Sequence, residues 1–452
     1  MAVRTIIPGP PGTGKTWTLI NKYLVKEVGS QIEKTEFKNE FNTDPKKIAY
    51  ITFSNAATNE ALGRIKSPLL YISTMHHLGT RECKIDTPTQ LLKDRKWKQF
   101  TSQSKICRGM KFETKKDNYG NTVHQNPHMR IISYARSKII DLVESALQLD
   151  LHHSVDLWLT EQIDEDLKNY KEQTGMIEYS DMIEKFIEEK RMEEIPGRKE
   201  HLALDAIFLD EAQDLSPLQW EMFFYIEAHC KRSYIAGDDD QTIYGFQGAD
   251  PSIFINLKGT FDNQIKSHRV PKKVHAKALE ILKQINERLD KPWEARDEEG
   301  TYKENCMLSD FDFKKNDWMI LAQTNAQLKE PAQYLNDLNL RFKGGQNELL
   351  PSDLLDAYRI WTRLNAGESV SGEDAQHVIK NFLRKKQVEH GFGEGTLLDT
   401  VYTITLEELQ KDHGLLVAGS WEHLHMSDEQ KNYIKLLLKN GDDLITDSKI
   451  EL

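Results

Sequence analysis

The run Gly9-Pro10-Pro11-Gly12-Thr13-Gly14-Lys15-Thr16 lies between a short apolar stretch, Val3–Ile7, and a stretch of helical character, Thr16–Val28. A G-x-x-x-x-G-K-[ST] loop placed after a strand and before a helix restricts the fold sharply. Its glycines let backbone N–H groups wrap an anion, and the helix that follows adds the positive end of its dipole. Such a loop needs a buried parallel strand behind it. Three more apolar runs, Lys47–Phe53, Leu204–Asp210 and Ser233–Gly237, read as strands separated by helical stretches. The expectation is an α/β fold with a parallel sheet and ligand groups at strand C-terminal ends.

The loop and two strand ends carry the candidate chemistry. Gly9, Pro10, Pro11, Gly12, Thr13 and Gly14 would cradle phosphates, Lys15 would bridge the β- and γ-phosphates of ATP, and the Thr16 hydroxyl would ligate Mg²⁺. Asp210-Glu211-Ala212-Gln213-Asp214 closes the apolar run Ala206–Leu209. Asp210 is expected to hold Mg²⁺ through a water shell, and Glu211 to orient and deprotonate the attacking water. Gly237-Asp238-Asp239-Asp240-Gln241-Thr242-Ile243-Tyr244-Gly245-Phe246 then joins a possible phosphate sensor, Gln241, to two aromatic faces, Tyr244 and Phe246. Unpaired bases stack on such faces at about 1–3 kcal/mol each.

Composition narrows the class. The 452 residues suffice for two to four domains, and 38% apolar with 29% charged content fits a globular protein. No run of eighteen apolar residues is present, so no membrane span is expected. Cys83, Cys107, Cys230 and Cys306 are far apart, without metal-ligand or disulfide spacing, which suits a reducing, cytoplasmic setting. A net charge of −11 argues against coating nucleic acid by bulk charge. The charge is segregated, however. Lys84 to His124 holds ten Lys/Arg against four Asp/Glu, and Ile265 to Lys277 holds five basic residues and no acid. A local basic track suffices for phosphate contacts.

Taken in order, the motifs resemble those of superfamily 1 DNA helicases of the UvrD/Rep/PcrA type. The Gln241 segment is similar to motif III and Asp210–Asp214 to motif II, with Ala212 where an aromatic is usual and Gln219 at a family position. Thr52–Ile65 resembles motif Ia, which implies DNA contacts from Phe53 and Asn55, although Ala56 replaces a usual basic residue. Ser73–Leu78 resembles motif Ib, which implies DNA-backbone contacts from Thr74 and His76. Lys266–Pro271 resembles motif IV, placing His268 on the adenine and Arg269 on the γ-phosphate. Gln247 and Gln323 stand where the family often has arginine. Motifs V and VI are absent, and Asp447–Leu452 looks like the strand that leads into motif V.

The resemblance implies RecA-like P-loop parallel-sheet cores with mainly helical inserted accessory domains, the second core incomplete. The expected first core is 1–83 with 176–275, and 84–175 is the inserted domain. A partial second core at 276–345 would follow, then a helical insert and the truncated core end at 346–452. Within the insertion a hairpin is expected around Lys116–Gly120. Asp290–Glu304 reads as a loose acidic linker, and Trp318–Gln323 as another buried strand. The implied activity is ATP-dependent translocation on single-stranded DNA and at single-strand/duplex junctions, 3′ to 5′ by family likeness, by a truncated or split polypeptide. Two alternatives remain at this point. One is a non-translocating ATP- and DNA-binding subunit that needs a complementary C-terminal helicase fragment carrying motifs V and VI. The other is a regulatory DNA-binding protein that keeps the fold without turnover.

Overall fold

The structure is a computed structural model. It describes residues 2–29, 37–93, 95–112, 114–116, 122–193, 204–315, 317–324, 326–344, 348–389, 403–442, 444 and 450–451. The Gly391–Gly395 stretch and the Lys116–Gly120 hairpin tip (117–120) lie outside these residues. The chain divides into two compact units, Met1–Tyr302 and Lys303–Leu452, so 276–302 falls with the first unit.

Strands in chain order are β1 (Val3–Pro8), β2 (Ile48–Thr52), β3 (Tyr71–Thr74), β4 (Thr114–Lys116), β5 (Thr122–His124), β6 (Ala206–Leu209), β7 (Arg232–Gly237), β8 (Thr260–Phe261), β9 (Lys266–Pro271), β10 (Glu294–Arg296), β11 (Trp318–Met319) and β12 (Ile450–Glu451). Six of them form one parallel sheet in the order β3-β2-β6-β7-β1-β8. This confirms the mixed α/β class with a parallel sheet.

The reason for the sheet is in the residue types. Strands covered on both faces must be apolar at every position, and alternate side chains must feed different layers. Ile6, Ala49, Ile51, Ile207, Leu209 and Ile235 enter one core, with Trp220, Met222 and Phe223 of the helix Pro217–Ala228. Ile7, Ile48, Tyr50, Ala206, Phe208, Tyr234 and Ala236 enter the other, with Leu19, Ile20 and Leu24 of the helical stretch after the phosphate loop. Each fully buried Ile, Leu, Met or Phe side chain among them contributes about 1.5–3 kcal/mol. That helical stretch runs from Lys15 to Val28, with a π-helical segment at Leu19–Leu24.

The segment between β3 and β6 is mainly helical. Trp97, Phe100, Phe112, Met129, Ile132, Ile163 and Leu167 make a core of their own. The expected hairpin is present as the antiparallel pair β4–β5. Largely covered ion pairs brace these helices and tie them to the main body. Arg136 meets Asp164 at 2.8 Å and also Glu178, and Lys171 meets Asp181 at 2.6 Å. Lys138 reaches Asp250 at 2.6 Å. Leaving the buried Glu178 without Arg136 would cost about 3–5 kcal/mol, so this contact holds the insertion in register.

Asp290–Glu304 is not the loose linker expected. β10 pairs in parallel with β9, and Lys291 is buried. In the second unit β11 pairs in parallel with β12 above a small core of Phe313, Leu335, Phe342 and Ile450. Among the described residues the strand expected at Trp318–Gln323 is shorter and less buried: Trp318 and Met319 pair, and Leu321 is 81% exposed. A second core there is helical, from Ser352–Asn365, Gly372–Phe382, Leu406–Asp412 and Asp428–Lys439.

Candidate functional site

The sheet order sets the site. β6, β7 and β1 are consecutive neighbours, so their C-terminal ends bring together Asp210-Glu211, Gly237-Asp238 and the loop after Pro8, although these are far apart in sequence. In parallel sheets this edge is where ligands bind.

The phosphate loop is compact. Thr13 Oγ1 donates to the Pro10 carbonyl at 2.8 Å, and Lys15 Nζ to the Gly9 carbonyl at 2.8 Å. Gly14, at φ +87°, is the residue before the helix, a left-handed backbone that glycine adopts without strain. Gly12, at φ +75°, is where β9 docks: a Cβ there would lie 2.5 Å from Arg269 Cβ and 2.8 Å from Ser267 Oγ. His268 N–H donates to the Gly12 carbonyl at 2.9 Å, and Ser267 Oγ to the Pro11 carbonyl at 2.8 Å. Arg269 and His268 are thereby brought to the loop, both with exposed side chains.

On the β6 side, Thr16 Oγ1 donates to Asp210 Oδ2 at 2.8 Å, and Tyr50 OH to the same oxygen at 3.1 Å. An alcohol and a carboxylate oxygen side by side form the hard donor set that Mg²⁺ takes. Burial, with the Glu211 charge beside it, pushes the Asp210 carboxyl up to about 6. Glu211 sits at φ +54°, a left-handed backbone uncommon outside glycine. Gln213, quoted in the sequence but given no role there, donates from Nε2 to Glu211 Oε2 at 2.9 Å and accepts from Asp238 N–H at 2.9 Å. Gln241 donates to the Asp238 carboxylate, so the expected sensor is held beside Gly237 and not directly on the phosphate loop.

A groove of about 470 Å³ opens beside these strand ends. Phe53, Asn55, Thr74, His76 and Phe246 all line it, as the sequence reading requires of a shared surface. Asn55 opens the helix Asn55–Arg64 that follows β2, and Thr74 caps the helix Met75–Glu82 that follows β3. Two helix N-termini therefore reach the groove, each a favourable place for a phosphate group. Phe246 is 52% exposed. His76 meets Tyr179 edge-on at 5.8 Å, and burial lowers its pKa to about 4, so it is neutral at pH 7. Tyr244 requires a correction: it is 5% exposed, with its ring 4.6 Å from Phe53. It backs Phe53 and offers no free stacking face. Aromatic spacing alone could not separate the two aromatic positions.

The groove also recruits Tyr179 and Arg130, which the sequence reading did not single out, and Asp214 from the turn that carries Glu211. Asp214 is 8% exposed, and burial with the Glu211 charge pushes its carboxyl up to about 7. Gln219 caps the helix Pro217–Ala228 by reciprocal bonds with Ser216 and lies on the same wall.

Residues 2–262 match the model of the UvrD/REP helicase N-terminal domain. The chain belongs to the UvrD/Rep helicase family. Among its relatives, an ATP-dependent DNA helicase Rep of Buchnera aphidicola (subsp. Acyrthosiphon pisum) is 26% identical over 271 residues, 56% of this chain and 38% of that protein. A probable DNA helicase II homolog of Mycoplasma capricolum is 25% identical over 56% of this chain and 34% of its own length. The ATP-dependent DNA helicase PcrA of Leuconostoc citreum is 21% identical over 78% of this chain and 49% of its own. The alignments thus span less than half the length of each of these relatives. Among the described residues no helix is long and apolar enough to cross a membrane.

Proposed function

We propose that this chain is the ATP-binding and single-strand-binding part of a DNA helicase, with hydrolysis at the β1–β6 edge and DNA in the adjacent groove. One observation carries the reading: Asp214 lines the groove while Glu211, three residues earlier in the same turn, adjoins Asp210, which accepts from Thr16. A change at one ligand is therefore felt within one turn of the other.

In this reading the N–H groups of Gly9–Thr16 hold the phosphates and Lys15 neutralises the β- and γ-oxygens. Thr16 and Asp210 hold Mg²⁺, which when bound neutralises developing phosphate charge. Coordination favours the Asp210 carboxylate over the neutral form that burial favours. Glu211 accepts the proton of the attacking water, and Arg269 lies against the loop to meet the γ-phosphate. Phe53 and Phe246 stack bases, while Asn55, Thr74 and His76 meet the backbone. His268 takes the adenine face.

The relatives named as ATP-dependent DNA helicases support both ligands. Movement 3′ to 5′ is part of the proposal and rests on family likeness. The test is strand displacement on duplexes with a 3′ or a 5′ single-stranded tail, with ATP and Mg²⁺. The reading expects unwinding of the 3′-tailed substrate. Preference for the 5′ tail would reverse the assigned direction. Failure to bind either tail, with no nucleotide bound, would remove the function.

A further inference from the structure

Resting on that reading, we propose that Lys291 is a positioning residue that sets Glu211 and Gln241 together through Asp238. Its side chain is 1% exposed, and its ammonium group lies 2.7 Å from Asp238 Oδ1 and 2.9 Å from Asp240 Oδ2 and also meets the Asp239 carboxylate. Arg288 adds a two-pronged contact to Asp240, Nε to Oδ1 at 2.8 Å and Nη2 to Oδ2 at 2.7 Å. The backbone N–H of Leu289 donates to Asp239 Oδ2 at 2.7 Å. Three neighbouring carboxylates at a buried strand end repel one another unless a cation sits among them, and Lys291 fills that place.

Asp238 passes the constraint on in two directions. Its carboxylate accepts from Gln241 Nε2. Its N–H donates to Gln213 Oε1 at 2.9 Å, which forces the Gln213 amide to turn Nε2 toward Glu211 Oε2, also at 2.9 Å. That bond holds the Glu211 side chain, which rises from a left-handed backbone. Gly237 has no room for a side chain, since a Cβ would lie 2.9 Å from Gln213 Oε1. The lysine also belongs to the segment that places Arg269. β10 begins three residues after Lys291 and pairs with β9, which docks on Gly12. One buried cation thus fixes the acid turn, the water-activating carboxylate and the sensor amide relative to one another.

The test uses the full chain with Lys291→Met, Lys291→Arg, Gln213→Ala and the double variant Lys291→Met/Gln213→Ala. Gln213→Ala breaks the same link while leaving Asp238, Asp239 and Asp240 paired with Lys291, so it serves if Lys291→Met fails to fold. Hydrogen exchange without nucleotide is the first readout. Lys291→Met is expected to speed exchange about tenfold at 211–214 and 238–241, with β1 unchanged. DNA-stimulated ATP turnover is the second. Lys291→Met and Gln213→Ala should each lower kcat about 10- to 100-fold with KM for ATP within about threefold, as a transition-state effect requires. Lys291→Arg should recover part of kcat, and the double variant should be no slower than the worse single one. Unchanged exchange, a KM effect without a kcat effect, or additive losses would overturn the proposal. If the parent does not hydrolyse ATP, the helicase reading falls and exchange alone decides. Faster exchange at both segments sustains the relay, and faster exchange at 238–241 alone overturns it.

Discussion

Asp214→Asn should stabilise the first unit at pH 8 and leave it nearly unchanged at pH 4. Asp214 is 8% exposed, Glu211 is nearby in the same turn, and Gln213 Nε2 is 3.4 Å from Oδ2, with the Ile243 backbone N–H as a further donor. Burial and the Glu211 charge raise its pKa from 3.8 to about 7. Between those values the unfolded chain releases a proton that the folded chain keeps, so this group's contribution to stability falls as pH rises through 7. At about 1.4 kcal/mol per pH unit, the cost of ionisation approaches about 4 kcal/mol above pH 7, an upper bound. Local relaxation and water entry reduce it to about 2 kcal/mol. Asparagine is close in shape, stays neutral and still accepts from the Ile243 N–H. Native-state hydrogen exchange of the slowest β1 and β6 amides, without Mg²⁺ or nucleotide, measures the difference. At pH 8 those amides should exchange about 30-fold more slowly in the variant, and at pH 4 within about twofold. Equal or faster exchange in the variant at pH 8 would refute the claim that the fold disfavours the ionised form of this carboxyl.

Three further outcomes follow from the geometry. Phe246→Ala should weaken single-stranded DNA binding by about 1–3 kcal/mol in fluorescence anisotropy while ATP-analogue affinity stays the same, and unchanged DNA affinity would assign Phe246 to packing. Neutralising Lys93, Arg95 and Lys98, all exposed, should lower the salt slope of junction-DNA binding by up to about 0.9 per lost phosphate contact. Lys96 is left out because its ammonium group already donates to the Pro88 carbonyl at 3.0 Å, and an unchanged slope would make the three a solvated face. Gly12→Ala places a Cβ against Arg269 on a left-handed backbone, so calorimetry should show ATP-analogue affinity reduced about tenfold or more, with unit stability reduced by about 1–3 kcal/mol; unaltered affinity would mean that β9 does not dock there.

The parts of the site that were legible in the sequence are those with local causes. The phosphate loop, the buried runs behind it and the carboxylates at the end of β6 are each specified within about ten residues, and the apolar character of the runs follows from covering both faces of a parallel sheet; their order in the sheet does not. β8 is only two residues long and is defined by pairing with β1, so no pattern announces it. Tyr244 and Phe246 are two residues apart and chemically alike, yet one backs Phe53 and the other faces out; only the turn at Gly245–Gln247 separates them. Lys291 was invisible for a different reason. A single lysine between Asp290 and Pro292 reads as solvated, and the carboxylates that bury it lie about fifty residues earlier. Gln213 likewise looked like filler between two acids until Asp238 N–H supplied its other partner.

The most direct measurement is steady-state ATP hydrolysis by the full chain with and without single-stranded DNA, compared with Lys15→Ala and Glu211→Gln. The account predicts turnover that rises on adding DNA, none in Lys15→Ala, and nucleotide binding without turnover in Glu211→Gln, the loss being on the order of 10²–10⁴. Turnover indifferent to DNA, or a Glu211→Gln rate within a few-fold of the parent, would contradict it.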